Sequence, residues 1–199
     1  MAEKLNDMYA NMFAIGILEV AFLLDAVQRL QIQPIEIGAF FGVLGIITLV
    51  GNIAFGRLSD KIGRKMLIVA GSFIAAVSLY MFMITDSIIG LVLAGVVLGV
   101  AMSMRGPTIQ ALIADLTDPR AYGSVMGVFG AVSNAAYVVG PVLGGRLYDE
   151  TGSAVSSLAI AGIVSVLGGV AAGVGLPAGK PSAARSLDEL DSSSVVTSE

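Results

Sequence analysis

Apolar residues run along this chain in long unbroken blocks separated by short polar punctuations. They follow neither the spacing of a surface helix nor the alternation of a half-buried strand. Six blocks stand out, at residues 9–30, 35–58, 65–84, 87–114, 122–147 and 154–176. Each is near or above the ~20 residues that a helix needs to cross a bilayer core. Between them lie QIQPIE, SDKIGR, the Thr85-Asp86 pair, DLTDPRA and YDETGS. Connections this short make each helix antiparallel to the one before, so an even number of spans returns both termini to one side. Spanning strands are disfavoured, because an open sheet in lipid would leave backbone groups unpaired. The predicted fold class is all-α: a polytopic membrane protein of six transmembrane helices. It divides into a short N-terminus at 1–8, a membrane domain at 9–176 and a tail at 177–199.

Composition agrees with lipid as the solvent. Of 199 residues, 56% are hydrophobic and 13% charged, where a soluble domain carries roughly a quarter charged. The first block is too long and too far into the chain for a simple signal peptide. It also contains Glu19 and Asp25, which a signal core tolerates poorly, so it reads as a retained span. Lys4, Arg57, Lys61, Arg64, Lys65, Arg120, Lys180 and Arg185 fall on the side shared by the termini, and Arg29 and Arg146 on the other. The positive-inside rule then places both termini and the 56–65 loop in the cytoplasm. Arg105 belongs to neither side, because it lies within the fourth block. The tail carries half of the net charge of −4. That tail is rich in Ser and Ala and acidic toward its end, and is expected to be a disordered cytoplasmic segment.

The chain has no cysteine and no histidine. Disulfides, thiol chemistry and Cys-based metal sites are thereby excluded, as is the side chain best suited to titrate near neutrality. Neither a GxxxxGK[ST] loop, a G-x-S-x-G elbow nor HExxH occurs, so an enzyme is not expected. Gly95 and Gly99, Gly123 and Gly127, and Gly140 and Gly144 are spaced to let helix backbones approach one another.

The polar stretch at 56–65, GRLSDKIGRK, is the densest group of charges between the blocks. Gly56 at the end of the second helix would let another helix pack on its backbone. Asp60 would accept hydrogen bonds from the free amides opening the third helix and favour its positive end. Gly63 allows a tight reversal, and Arg64 and Lys65 would sit at the anionic leaflet.

This stretch resembles the signature loop of the major facilitator superfamily, Gly-x-x-x-Asp-[Arg/Lys]-x-Gly-[Arg/Lys]-[Arg/Lys], which lies between the second and third helices of each six-helix half. Gly56, Asp60, Lys61, Gly63, Arg64 and Lys65 fill all six specified positions. In the fifth block, Gly140, Pro141, Gly144 and Gly145 are similar to the antiporter motif of that family's fifth helix. Gly127 matches its upstream glycine, and Ala136 stands where a further glycine is usual. A proline with flanking glycines bends a helix and permits a tight contact, which suits a hinge or a seal.

The resemblance implies a half bundle of a fold that normally has twelve helices in two halves, with the substrate site between them. After Arg105, Thr108 and Ile109 replace the Gln and Gly of the family's N-half motif. With the acidic tail, this makes the chain look more like a C-terminal half. The implied function is secondary active transport of a small solute by alternating access, with proton-coupled antiport or efflux suggested by the fifth-helix motif. The implied partners are the lipid bilayer, a small-molecule substrate and either a second copy in a homodimer or a separate six-helix half. No cofactor, metal or nucleic acid is implied, and the expected location is the plasma membrane. The alternative is a truncated or divergent half that does not transport but binds or regulates a membrane partner. A channel lacks a pore-loop signature, and an ATP-driven pump lacks a nucleotide loop.

Three charged residues are candidates for coupling or substrate binding. Counting ~1.5 Å per residue from Tyr9 puts Glu19 about 15 Å into the bilayer. An ionised carboxylate there is costly, which suits it to bind and release a proton. Asp25 lies one turn before Arg29, near the outer face, and can pair with it. Arg105 precedes Gly106 and Pro107, and a helix broken there, with a cation beside it, would hold an anionic group. The other readings of Arg105 are a pair within the bundle or a side chain reaching toward the cytoplasm. Asn52, Gln110, Asn134 and Tyr137 are further polar groups within the spans.

Overall fold

The computed structural model describes residues 15–17, 19, 20, 24, 27 and 31–175. The expectations for 1–8, for most of the first block including Asp25 and Arg29, and for the tail fall outside the described residues. Five helices follow one another: α1 (Pro34–Ile62), α2 (Arg64–Ile84), α3 (Ile88–Leu116), α4 (Tyr122–Thr151) and α5 (Ala154–Gly175). All five are long and apolar enough to cross a membrane. The described positions of the first block, 15–17, 19, 20, 24 and 27, are helical as well, and no strand occurs among the described residues.

The helices outrun the apolar blocks at two ends. α1 continues through Asp60 and Lys61, and α4 through Asp149 and Glu150. Hydropathy marks where lipid ends, whereas a helix ends where its backbone is turned. That turn is made by glycine in both cases: Gly63 at φ 94° and Gly152 at φ 64°, conformations that side chains disfavour. Their amides donate to Ser59 O at 3.1 Å and Tyr148 O at 2.7 Å. At the other ends, the Gln33 amide donates to Glu36 Oε2 and Ser87 Oγ accepts from the Gly90 amide. Both satisfy amides that a helix start leaves open.

α2 lies at the centre, packed against α3 and α5, and α1 packs on α3. Glycines set these distances. A Cβ on Gly95 would run into the Phe40 ring of α1, and one on Gly99 would fall 3.0 Å from Ile47. On the far side of α2, a Cβ on Gly169 of α5 would lie 2.9 Å from Ser72. Gly123 and Gly127 do not serve this purpose: a Cβ on either meets nothing within 4 Å, so no helix approaches them among the described residues.

Two apolar clusters fill the bundle. One joins Phe40, Leu79, Phe82, Leu91, Leu98 and Leu158 toward the ends of α2 and α3 that meet at Thr85. The other joins Ile68, Ile109, Leu112, Ile113 and Ala172 toward the 56–65 loop. Between them lies a polar layer in which Ser72, Ser103, Arg105 and Thr108 are buried. The hydroxyls bond backbone carbonyls one turn back, Ser72 to Ile68 at 2.9 Å and Thr108 to Met104 at 2.6 Å. Ser78 instead crosses to Ala94 O of α3 at 2.8 Å.

Candidate functional site

Gly16 and Ile17 lie against the middle of α4 at backbone contact. A Cβ on Gly16 would lie 2.8 Å from Pro141 Cδ, 3.2 Å from Tyr137 O and 3.3 Å from Gly140 Cα. A Cβ on Gly144 would lie 3.0 Å from Ile17 O and 3.2 Å from Ile17 Cα. Gly140 and Gly144 therefore do the packing work expected of their spacing, and their partner is the first block. Gly145 is looser, its Cβ position 3.9 Å from Val20. Ser157 of α5 reaches the same stretch, donating to Gly144 O at 3.1 Å.

Across this contact the side chains of Glu19 and Tyr137 meet, and the Tyr137 hydroxyl donates to Glu19 Oε2. Pro141 has no amide hydrogen, so the carbonyl it leaves without a helical partner is that of Tyr137, four residues earlier. The same residue thus carries a freed carbonyl against Gly16 and a hydroxyl on Glu19. α4 is nevertheless one continuous helix through Pro141. Asn134 and Tyr137 both lie on its exposed side.

Arg105 stands apart from that pair, on the face of α3 toward α2. Its side chain passes over Gly71, where a Cβ would fall 2.7 Å from Arg105 Cγ and 3.1 Å from Cδ. It is 6% exposed, and its Nε has no hydrogen-bond partner among the described residues. The helix is not broken beside it, because α3 runs on through Pro107 to Leu116. A proline in mid-helix removes one bond and leaves the turns on either side intact, and burial against α1 and α2 holds them in line. The carbonyl freed here is that of Ser103, whose side chain lies against Gly51 of α1. Asn52 and Gln110 are exposed.

The 56–65 loop is reduced to a single residue, Gly63, between α1 and α2. Asp60 does not cap α2, which has no side-chain cap at Gly63. It sits in the last turn of α1 and faces Arg64 Nη2 at 3.6 Å. Arg64 Nη1 in turn lies 3.1 Å from Asp115 Oδ2 of α3, a close ion pair without hydrogen-bond alignment. The geometric reason is the extension of α1: Asp60 is one turn before Arg64 rather than at the start of α2. Gly56 also departs from expectation, since a Cβ there meets nothing within 4 Å and no helix packs on it among the described residues. Lys61 is exposed and Lys65 half-buried.

The partners that define the surroundings of Glu19 and Arg105 are not marked by any motif in the sequence. Gly16 and Gly71 had no motif to mark them. Tyr137 carried a signal, its position four residues before Pro141.

Comparison with known proteins adds the following. The family model of the Major Facilitator Superfamily matches residues 8–197. The chain is similar to an uncharacterized MFS-type transporter of Methanocaldococcus jannaschii, with 28% identity over 144 residues that cover 72% of this chain and 37% of the relative. It is also similar to the quinolone resistance protein NorA of Staphylococcus aureus, with 26% identity over 152 residues covering 75% of this chain and 39% of that protein. The match spans less than two-fifths of the length of either relative.

Proposed function

The chain belongs to the major facilitator superfamily, and from that premise we propose that it is one six-helix half of a secondary transporter, the C-terminal type. The complete assembly moves a small solute across the plasma membrane by alternating access, with both termini of this chain in the cytoplasm. Glu19 is the coupling carboxylate, with Asp25 as a second carrier in the same block. The observation that supports this most is the placement of Glu19 on the Pro141 stretch of α4: an acid deep in the apolar span, held by one phenol, beside the helix position where backbone bonding is interrupted. Intramembrane acids are costly to keep and mark ion or substrate pathways.

A second half is part of this reading. Leu49, Val50 and Ile53 of α1 and Val138 and Val142 of α4 are all more than half exposed, and α4 shows Asn134 and Tyr137 on its open side. A second copy or a separate half laid on these helices would enclose Glu19 in a site between halves. Arg105 is the candidate for an anionic group, since burial leaves its Nε unsatisfied. The Asp60, Arg64 and Asp115 cluster ties α1, α2 and α3 at one face and serves as the gate of the signature loop.

One relative is named for quinolone resistance, so a fluorescent quinolone is the first solute to offer. Vesicles carrying the purified assembly should move it when a pH gradient is imposed, and Glu19→Gln should abolish the gradient-driven flux. Flux at the wild-type rate in Glu19→Gln would remove Glu19 from coupling. No flux of any offered solute, with no second half found, would favour the non-transporting alternative.

A further inference from the structure

We infer that Tyr137 is the positioning residue for Glu19: its hydroxyl holds the carboxylate on α4 at the Pro141 interruption, so that displacement of α4 and release of Glu19 are one event. This rests on the coupling role proposed for Glu19.

The contact is set by register and not by chance proximity. Gly16 lies on Pro141, Gly140 and the Tyr137 carbonyl, and Ile17 lies on Gly144. Gly16 on Gly140 and Val20 on Gly145 show the two segments running in the same direction, so Glu19 and Tyr137 lie on opposite sides of the Gly16–Pro141 contact and their side chains reach across it to meet. The backbone contacts at 16 and 144 hold that offset, and a slide of either segment by a turn would change it. The hydroxyl donates to Glu19 Oε2 across 118 residues of sequence.

The surroundings give that bond weight. Tyr137 is 40% exposed and sits midway along α4 (Tyr122–Thr151), away from the interfacial levels where membrane tyrosines collect. Its neighbours Val138, Val139 and Val142 are apolar, and Asn134 lies one turn away on the same exposed side. A phenol at this depth needs an acceptor and a carboxylate needs a donor, and each supplies what the other lacks. Because Pro141 removes the backbone bond to the Tyr137 carbonyl, α4 bends most easily at the residue that carries the contact. When α4 moves there, Glu19 loses its donor and must take a proton or a cationic group of the solute instead.

The test uses dicyclohexylcarbodiimide, a reagent for carboxyl groups within membranes, on the full chain in lipid vesicles at one pH. Modification of Glu19 is followed by peptide mass, and Glu19→Gln identifies the signal by removing it. Tyr137→Phe keeps the ring and removes only the hydroxyl, and should raise the modification rate about tenfold or more, the scale of a lost hydrogen bond to a charged group. Glu19→Asp draws the carboxyl back by one methylene, and its new carboxyl should be similarly exposed to the reagent, a second arm if Tyr137→Phe proves unstable. Tyr80→Phe, on the exposed side of α2, should leave the rate unchanged, and a rise there equal to that in Tyr137→Phe would overturn the inference. So would wild-type labelling in a folded Tyr137→Phe or in Glu19→Asp. Labelling needs no transport: wild-type quinolone flux in Glu19→Gln would refute the coupling role alone, and unchanged labelling would refute the positioning role alone.

Discussion

Replacing Gly71 by alanine tests the packing around Arg105. The new Cβ would lie 2.7 Å from Arg105 Cγ, 3.1 Å from Cδ and 3.2 Å from Ala101 O. Carbon atoms in contact settle at roughly 3.5–4.0 Å, so Cγ has to retreat by about 1 Å or α2 and α3 must part. Arg105 has little freedom to comply, being 6% exposed. Overpacking of this kind costs roughly 1–3 kcal/mol, offset by up to ~1 kcal/mol from the better helix propensity of alanine. Gly106→Ala is the matched control beside Arg105, because a Cβ there meets nothing within 4 Å and only the propensity gain remains. The two variants should therefore differ by about 1–3 kcal/mol, with Gly71→Ala the less stable. Heating each in mild detergent and following the loss of monodisperse protein reads that order. Adding Arg105→Ala to Gly71→Ala removes Cγ and Cδ, and should make the second alanine less costly than it is in the parent. Equal stability of Gly71→Ala and Gly106→Ala, or full additivity in the double variant, would refute the close passage of Arg105 over Gly71.

Other substitutions follow from the same geometry. Gly16→Ala should lower thermal stability by a similar overpacking cost, about 1–3 kcal/mol before the propensity gain, and should increase carbodiimide labelling of Glu19, since it pushes the first block off α4. Gly63→Ala places a side chain at φ 94° and should destabilise by about 1–3 kcal/mol, read as a lower midpoint in the same heating assay. Asp115→Asn removes a pair whose side chains are 18% and 42% exposed, so it should cost under about 1 kcal/mol and less at high salt, as a salt series on the melting midpoint will show. Ser78→Ala breaks the α2 to α3 hydrogen bond to Ala94 O and should cost about 0.6 kcal/mol, within the resolution of paired melts.

Much of the fold was legible because lipid imposes one strong rule: a spanning segment must be helical, apolar and about 20 residues long. Five of the six blocks are helices close to their expected bounds, with α5 starting at Ala154 as read. The ends of α1 and α4 were not legible from hydropathy, since Gly63 and Gly152 set them by backbone conformation. Pairwise contacts were harder still. Gly95, Gly99, Gly140 and Gly144 share their spacing with Gly123 and Gly127, yet among the described residues only the first four are approached by a neighbour. Spacing tells which backbones can be approached, and only the topology decides which are. Asp60 illustrates the same point, because its role changed from amide cap to ion partner when α1 proved one turn longer than its apolar block.

If this chain works as one half of a transporter, the mass of its assembly will show it. Since the chain has no cysteine, single cysteines can be placed at Leu49 of α1, Val138 of α4 and, as a lipid-facing control, Tyr80 of α2. The protein would be extracted from its membranes in mild detergent, weighed intact and crosslinked. A mass of two halves is expected, with crosslinks from Leu49 and Val138 but not from Tyr80. A single-chain mass with quinolone flux intact, or crosslinking equal at all three positions, would contradict it.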